Sequence, residues 1–194
     1  MQQATPPRDA VCRTNAAREP QALPDGVELR PLIAHPDDRG RVAEIFRVEW
    51  ATGIAPVQWV VTFTDAGVMR GVHVHPRHDD YFVLLQGRIA LGLHDLRPRS
   101  PTGGCAAMVE LRGDEPTAVL IPHGVGHGFL FLSRSTYVVG TSHYYDPADE
   151  LGCHWLDPDL GLAWPAAAAQ LSARDAALPS LREVAKRIPA WQGR

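Results

Sequence analysis

From Val27 to Trp155 the apolar residues of this chain come in short runs: "VQWVVTFT" (57–64), "YFVLLQG" (81–87), "RIALGLHDL" (88–96), "TAVLIP" (117–122), "HGFLFL" (127–132) and "TYVVGTSHYY" (136–145). The turn-forming stretches "TDAG", "RPRSPTGG" and "RGDEP" divide them. Many short strands spaced about 8–12 residues apart predict a sandwich or barrel. A helical period appears only late, in "PAAAAQLSARDAAL" and "LPSLREVAKRI", the second started by Pro179 and Ser180. The pattern predicts a mostly β fold with a small helical C-terminus. Residues 1–26, with Pro6, Pro7, Pro20 and Pro24, read as an arm without a core of its own. Residues 27–165 read as the barrel, and 166–194 as a helical segment packed on it. No internal repeat is present, and the one low-complexity stretch is the alanine run at 166–169.

Composition narrows the function. The 194 residues fit one domain with a sizeable core, at 45% hydrophobic and 21% charged residues. A net charge of −3 argues against a nucleic-acid binder. No run approaches the ~18 apolar residues of a membrane span, and none resembles a signal peptide. Cys12, Cys105 and Cys153 form no CxxC spacing, which suits a reducing compartment. A cytoplasmic enzyme or binding protein is the expectation.

The chemistry concentrates in "RGVHVHPRHDDYFVLLQG" (70–87). On a strand, His73 and His75 project to one face while Val72 and Val74 take the other. Downstream, Pro122, Gly124 and His127 form P-x-G-x-x-H. Together the two pieces resemble the bipartite signature of cupin β-barrels, with Asp80 where cupins usually carry glutamate. That likeness implies a divalent metal held by His73, His75, Asp80 and His127. Imidazole with carboxylate suits iron, manganese, nickel or zinc. The plainer reading is a polar strand face. His35, His78, His94, His123, His143 and His154 are read as surface residues or as support behind the site.

Seven further stretches occur in order: "DDRGRVAEIF" (37–46), "GVMRGVH" (67–73), "HDLRPRSPTGG" (94–104), "IPHGVGHGF" (121–129), "YYDPADELG" (144–152), "LDPDLGLAWP" (156–165) and "LSARDAALPSL" (171–181). They resemble the dTDP-4-dehydrorhamnose 3,5-epimerase family, over about residues 28–188. The resemblance implies a jelly-roll cupin barrel without a metal cofactor, as a homodimer exchanging N-terminal strands. It implies an isomerase acting on a 4-keto-6-deoxy sugar carried by a nucleoside diphosphate. A carbon beside a ketone loses its proton only to a positioned base, with the enolate oxygen stabilised. The resemblance gives the base as His73, its orienting carboxylate as Asp175, and a further active-site histidine as His127. It places Arg70 and Arg39 on the diphosphate, Arg39 reaching a neighbouring subunit, and Glu44 and Gln58 near the nucleotide. Tyr144, Tyr145, Trp155 and Trp164 are aromatic candidates for a sugar or base pocket, or equally for core or interface packing.

Several positions depart from the family pattern. Asp80 stands where the family carries a lysine, seven residues before Gly87. A carboxylate ~4 Å from a forming enolate costs about 4 kcal/mol at an effective dielectric near 20. That is on the order of a thousandfold in rate. Val139 stands where the family has a proton-returning tyrosine, and Tyr137 is the nearest substitute. His75 replaces a glutamine, Val42 an aromatic residue and Val60 an asparagine. The changes at 75 and 80 both restore the metal-cupin set. A ligated His73, however, cannot also be a free base. Three readings stay open: a nucleotide-sugar epimerase or related keto-isomerase; a metal-dependent cupin isomerase or oxygenase; a non-catalytic relative that binds sugar nucleotides.

Overall fold

The structure, a computed structural model, describes residues 22–190. Most of the expected arm, residues 1–21, lies outside them. Twelve strands appear in order: β1 Glu28–Pro31, β2 Ala34–Asp37, β3 Gly40–Ala43, β4 Gln58–Thr64, β5 Met69–Val74, β6 Asp80–Gln86, β7 Arg88–Asp95, β8 Ala106–Arg112, β9 Thr117–Ile121, β10 Val125–Phe131, β11 Ser135–Thr141 and β12 Leu151–Gly152. Two short helices follow, α1 Ala173–Ala176 and α2 Leu181–Ala185. One five-stranded sheet has the order β1-β9-β6-β11-β4, the other β12-β5-β10-β7-β8, and β2 and β3 form a small hairpin. All six quoted runs contain strands, as their length and the turn signals between them predict. β8 was not anticipated: its "AAMVELR" mixes small and charged residues and gives no clean period.

The apolar residues sort into three layers. Between the sheets lie Phe82, Leu84, Ile89, Leu91, Leu93, Val119, Ile121, Phe129, Phe131 and Tyr137. Phe82 and Phe129 stack at 4.5 Å, with Tyr137 5.1 Å from Phe82. On the outer side of the second sheet, Val72 and Val74 pack under Trp155, Leu160, Leu181, Val184 and Ile188. Outside the first sheet, Tyr81, Val83 and Leu120 are covered by Leu32 and Ile54. Burying each such side chain contributes roughly 1.5–3 kcal/mol.

The C-terminus differs from expectation. "PAAAA" forms no helix, although alanine favours one. Trp164 instead wedges against Gly92 and Gly128, where any added Cβ would meet its ring at 2.6–3.3 Å. The chain then runs extended beside the sheet, where Gln170 N donates to Gly67 O at 2.9 Å and Met69 N to Gln170 O at 2.9 Å. Tertiary packing overrides propensity here. Among the described residues no helix is long and apolar enough to cross a membrane, and Cys153 is a buried thiol.

Candidate active site

β5 and β10 pair antiparallel with His127 directly opposite His73. The approach is close because residue 71 has no side chain: a Cβ there would lie 2.7 Å from His127 O, and its φ of +108° suits glycine. The period-2 rule then brings His73 and His75 to one cleft. The cleft holds about 230 Å3 and is lined by both histidines, His78, Asp80, His127, Arg70, Tyr137, Val139 and Glu150, among others. The two imidazoles at 73 and 127 thus open onto one cavity. A larger hollow of about 450 Å3 lies beside β1 and is lined by Arg30, His35, Glu44 and Arg47. Its charges pair at the surface, Arg30 with Glu28 and Arg47 with Glu44, and none is buried.

His73 Nε2 lies 2.7 Å from Asp175 Oδ1. The pairing spans 102 positions, and a local cap sets it. Ser172 caps α1, accepting from Asp175 N at 3.0 Å, which fixes Asp175 in the first turn. Burial would raise the Asp175 carboxyl, but the His73 hydrogen bond and charge outweigh it and hold the group below its usual range. The carboxylate accepts from Nε2–H and leaves Nδ1 of the neutral ring as the proton acceptor. The His73 side chain is 22% exposed and Asp175 7%, so the base reaches the cleft while its partner stays dry.

Asp80 forms a different assembly. Its Oδ2 lies 3.4 Å from His75 Nε2 and 3.2 Å from His127 Nε2, and its Oδ1 lies 3.5 Å from His78 Nε2. All four residues are buried. His78 is anchored by Asp149, whose Oδ2 meets Nδ1 at 2.7 Å. Asp149 is placed by the turn after Asp146, whose side chain accepts from Ala148 N. Burial lowers the His127 imidazole to about 4, only partly offset by Asp80, and burial likewise lowers His75. For His78 burial works downward too, but Asp80 and then Asp149 outweigh it and raise it to about 9. Burial pushes the Asp80 carboxyl up; His75, His78 and His127 together bring it down to about 2.

The expected four-ligand set changes. The side chains whose donor atoms all converge are His75, Asp80 and His127, with a second group of His75, His78 and Glu150. His73 belongs to neither group, being engaged with Asp175. His78, which the sequence placed at the surface or behind the site, is 4% exposed. His78, Asp149 and Glu150 were missed as contributors because they lie outside the strands, where strand periodicity says nothing. The "DPADE" turn after "SHYY" was the only available signal.

The other expected contacts divide. Arg70 lines the cleft and donates to Thr64 Oγ1 at 3.2 Å. Tyr137 lines it from the opposite sheet, and Val139 is where the family pattern places a tyrosine. Burial raises the Tyr137 phenol despite Thr62 and Thr64, so it stays protonated. Arg39 sits on the exposed β2–β3 hairpin, paired with Asp37 at 2.7 Å. Glu44 faces the other hollow, and Gln58 Oε1 accepts from Tyr145 N at 3.0 Å outside the cleft. Tyr144 and Tyr145 are exposed; Trp155 and Trp164 pack in the core layer under the helices.

The dTDP-4-dehydrorhamnose 3,5-epimerase family pattern matches residues 20–183. The chain belongs to this family. It is 32% identical to the spore coat polysaccharide biosynthesis protein SpsL of Bacillus subtilis, over 72% of this chain and 95% of that one. It is 35% identical to a dTDP-4-dehydro-6-deoxyglucose 3-epimerase of Streptomyces bikiniensis, over 87% and 93%. The solved structure of the 3'-monoepimerase ChmJ from the same organism, in complex with dTDP-quinovose, superposes with a TM-score of 0.79 at 33% identity, covering 86% of this chain and 90% of that one. Family membership bears out the expected jelly-roll cupin class and the expected isomerase, a nucleotide-sugar keto-hexose epimerase.

Proposed function

We propose that the protein inverts a carbon next to the ketone of a nucleoside-diphosphate 4-keto-6-deoxyhexose, with His73 as the base. The observation that carries this is the His73–Asp175 pair at 2.7 Å on the wall of the cleft. Asp175 orients the ring and supports the charge it gains on taking the proton. Tyr137 approaches from the facing sheet and, being protonated, is the donor to the other face of the sugar. With valine at 139, a single inversion is expected rather than two. The cleft, about 230 Å3, falls below the usual span of whole-ligand pockets and suits the sugar alone. The diphosphate then lies at the rim, where the exposed Arg70 can hold its oxygens. Relatives named as dTDP-sugar epimerases support this substrate class.

The scheme itself consumes no cofactor. Arg39, Glu44, Gln58 and Tyr145 lie outside the cleft that would take the sugar. A homodimer is supported by the open edge strand β4, whose outward Trp59, Val61 and Phe63 are 42%, 52% and 70% exposed. The test is product analysis. The 4-keto-6-deoxyglucose nucleotides, beginning with the dTDP form, are incubated with enzyme and the ring couplings read by NMR. Inversion at one carbon beside the ketone is expected. An unchanged sugar in every nucleotide form would overturn the proposal.

A further inference from the structure

Asp80 and its imidazoles are the part of the cleft that the proton-transfer scheme leaves unused. The hydrogen bonds behind the rings fix their tautomers. His75 Nδ1 faces Asp149 O at 3.2 Å and His127 Nδ1 faces Val125 O at 3.2 Å. A carbonyl oxygen only accepts, so each Nδ1 carries the hydrogen. Each Nε2 of the neutral ring then presents a bare lone pair toward Asp80 Oδ2, at 3.4 and 3.2 Å. Three acceptors converge on one point with no hydrogen between them. In a buried place that arrangement is repulsive unless a cation sits among them.

The two spacings to Asp80 Oδ2 fit a bound divalent cation. Metal–ligand bonds of ~2.1 Å at tetrahedral to octahedral angles separate neighbouring donors by roughly 3.0–3.4 Å. The support is also that of a metal centre, where ligating histidines donate their second N–H to a carbonyl or carboxylate. His78 occupies the other carboxylate oxygen at 3.5 Å and is itself held by Asp149. That leaves Oδ2 directed at the two imidazoles.

We propose that His75 Nε2, His127 Nε2 and Asp80 Oδ2 bind one divalent transition-metal ion whose remaining positions open onto the cleft. Two imidazoles and one carboxylate suit iron(II), manganese, cobalt or zinc. His73 is not a ligand, so the ion and the free base coexist, and the conflict foreseen from the sequence disappears. The role of the ion rests on the function proposed above. As His73 takes the proton, the C–H electron pair forms the carbon–carbon double bond and the carbonyl pair moves to oxygen. Held by His75, His127 and Asp80, an ion would supply positive charge for that oxygen, against which a bare Asp80 would act. Proton return to the opposite face reverses the electron flow and restores the ketone.

The test begins with elemental analysis of protein purified without a histidine tag. Chelator-treated protein is then titrated with Mn2+, Co2+, Zn2+ and, anaerobically, Fe2+. About one ion per chain is expected, with a rise in unfolding midpoint on the order of 5–10 °C at a hundredfold excess over Kd. Asp80→Asn should weaken binding by at least the ~10–100-fold typical of changes around metal ligands. His73→Ala should bind as the wild type does. Failure of wild type to bind any of these ions, equal binding by Asp80→Asn, or loss of binding in His73→Ala would each overturn the site. Solvent-deuterium uptake into the sugar separates the two proposals. Binding without uptake removes the epimerase reading and leaves the site; undiminished uptake by metal-free protein removes the ion's chemical role.

Discussion

Two carboxylates reach one cleft, Asp80 from the start of β6 and Asp175 from α1, and each meets imidazole in a different way. Asp175 makes a single 2.7 Å contact with a histidine that remains partly exposed. Asp80 makes three contacts of 3.2–3.5 Å with histidines that are all buried. The first arrangement is that of an oriented base: one short bond, one tautomer, one free nitrogen. The second gathers lone pairs around a point and provides no route for a proton. Residue types are the same in both. What separates them is distance, exposure and what holds the far side of each ring.

Substitutions should split the two assemblies. The largest effect is expected on catalysis. His73→Ala should reduce solvent-deuterium uptake by on the order of 10²–10⁴-fold, with a modest drop in unfolding midpoint because the buried Asp175 loses its hydrogen-bond partner. Retention of uptake within a few-fold would place the base elsewhere. Next, Asp80→Ala in metal-free protein leaves the buried, protonated His78 without one of its two carboxylate partners. A loss of about 3–5 kcal/mol in urea unfolding is expected, as for a broken buried pair; a loss near zero would show that Asp80 organises nothing.

The pH dependence of metal-free protein comes third. The His127 imidazole sits at about 4 in the folded chain against an ordinary 6.5. Between these values the unfolded chain binds a proton that the native state refuses, so stability falls on acidification, by up to ~3 kcal/mol. His78 is raised to about 9. Its stabilisation is full below about 6.5 and is lost as pH rises through 9. Unfolding midpoints should therefore peak near pH 6.5. A monotonic rise from pH 5 to 9 would contradict these assignments. The smallest effect is expected from Tyr137→Phe, about tenfold in turnover, equivalent to ~1.4 kcal/mol, with slower proton return.

Much of the fold was legible because short apolar runs, such as 81–87, are separated by turn-forming stretches. The pairing of His73 with His127 followed from two short motifs, and Asp175 from the family likeness. The rest depends on contacts that no local pattern encodes. The alanine run lost its helix to a tryptophan wedged against Gly92 and Gly128. His78 reached the site because Asp149, 71 positions away, folds back over it. His73 left the expected ligand set because Asp175 took its Nε2, which decides between the two roles that the sequence left competing.

The central claim is that His73, oriented by Asp175, removes a proton from the carbon next to the ketone. Its most direct measurement is proton NMR of the 4-keto-6-deoxyglucose nucleotide in D2O, with wild type and His73→Ala side by side and metal content measured on both samples. Deuterium should enter one carbon flanking the ketone with wild type and not with the variant, at equal metal content. Wild-type uptake at neither carbon, or equal uptake by the variant, would contradict the account.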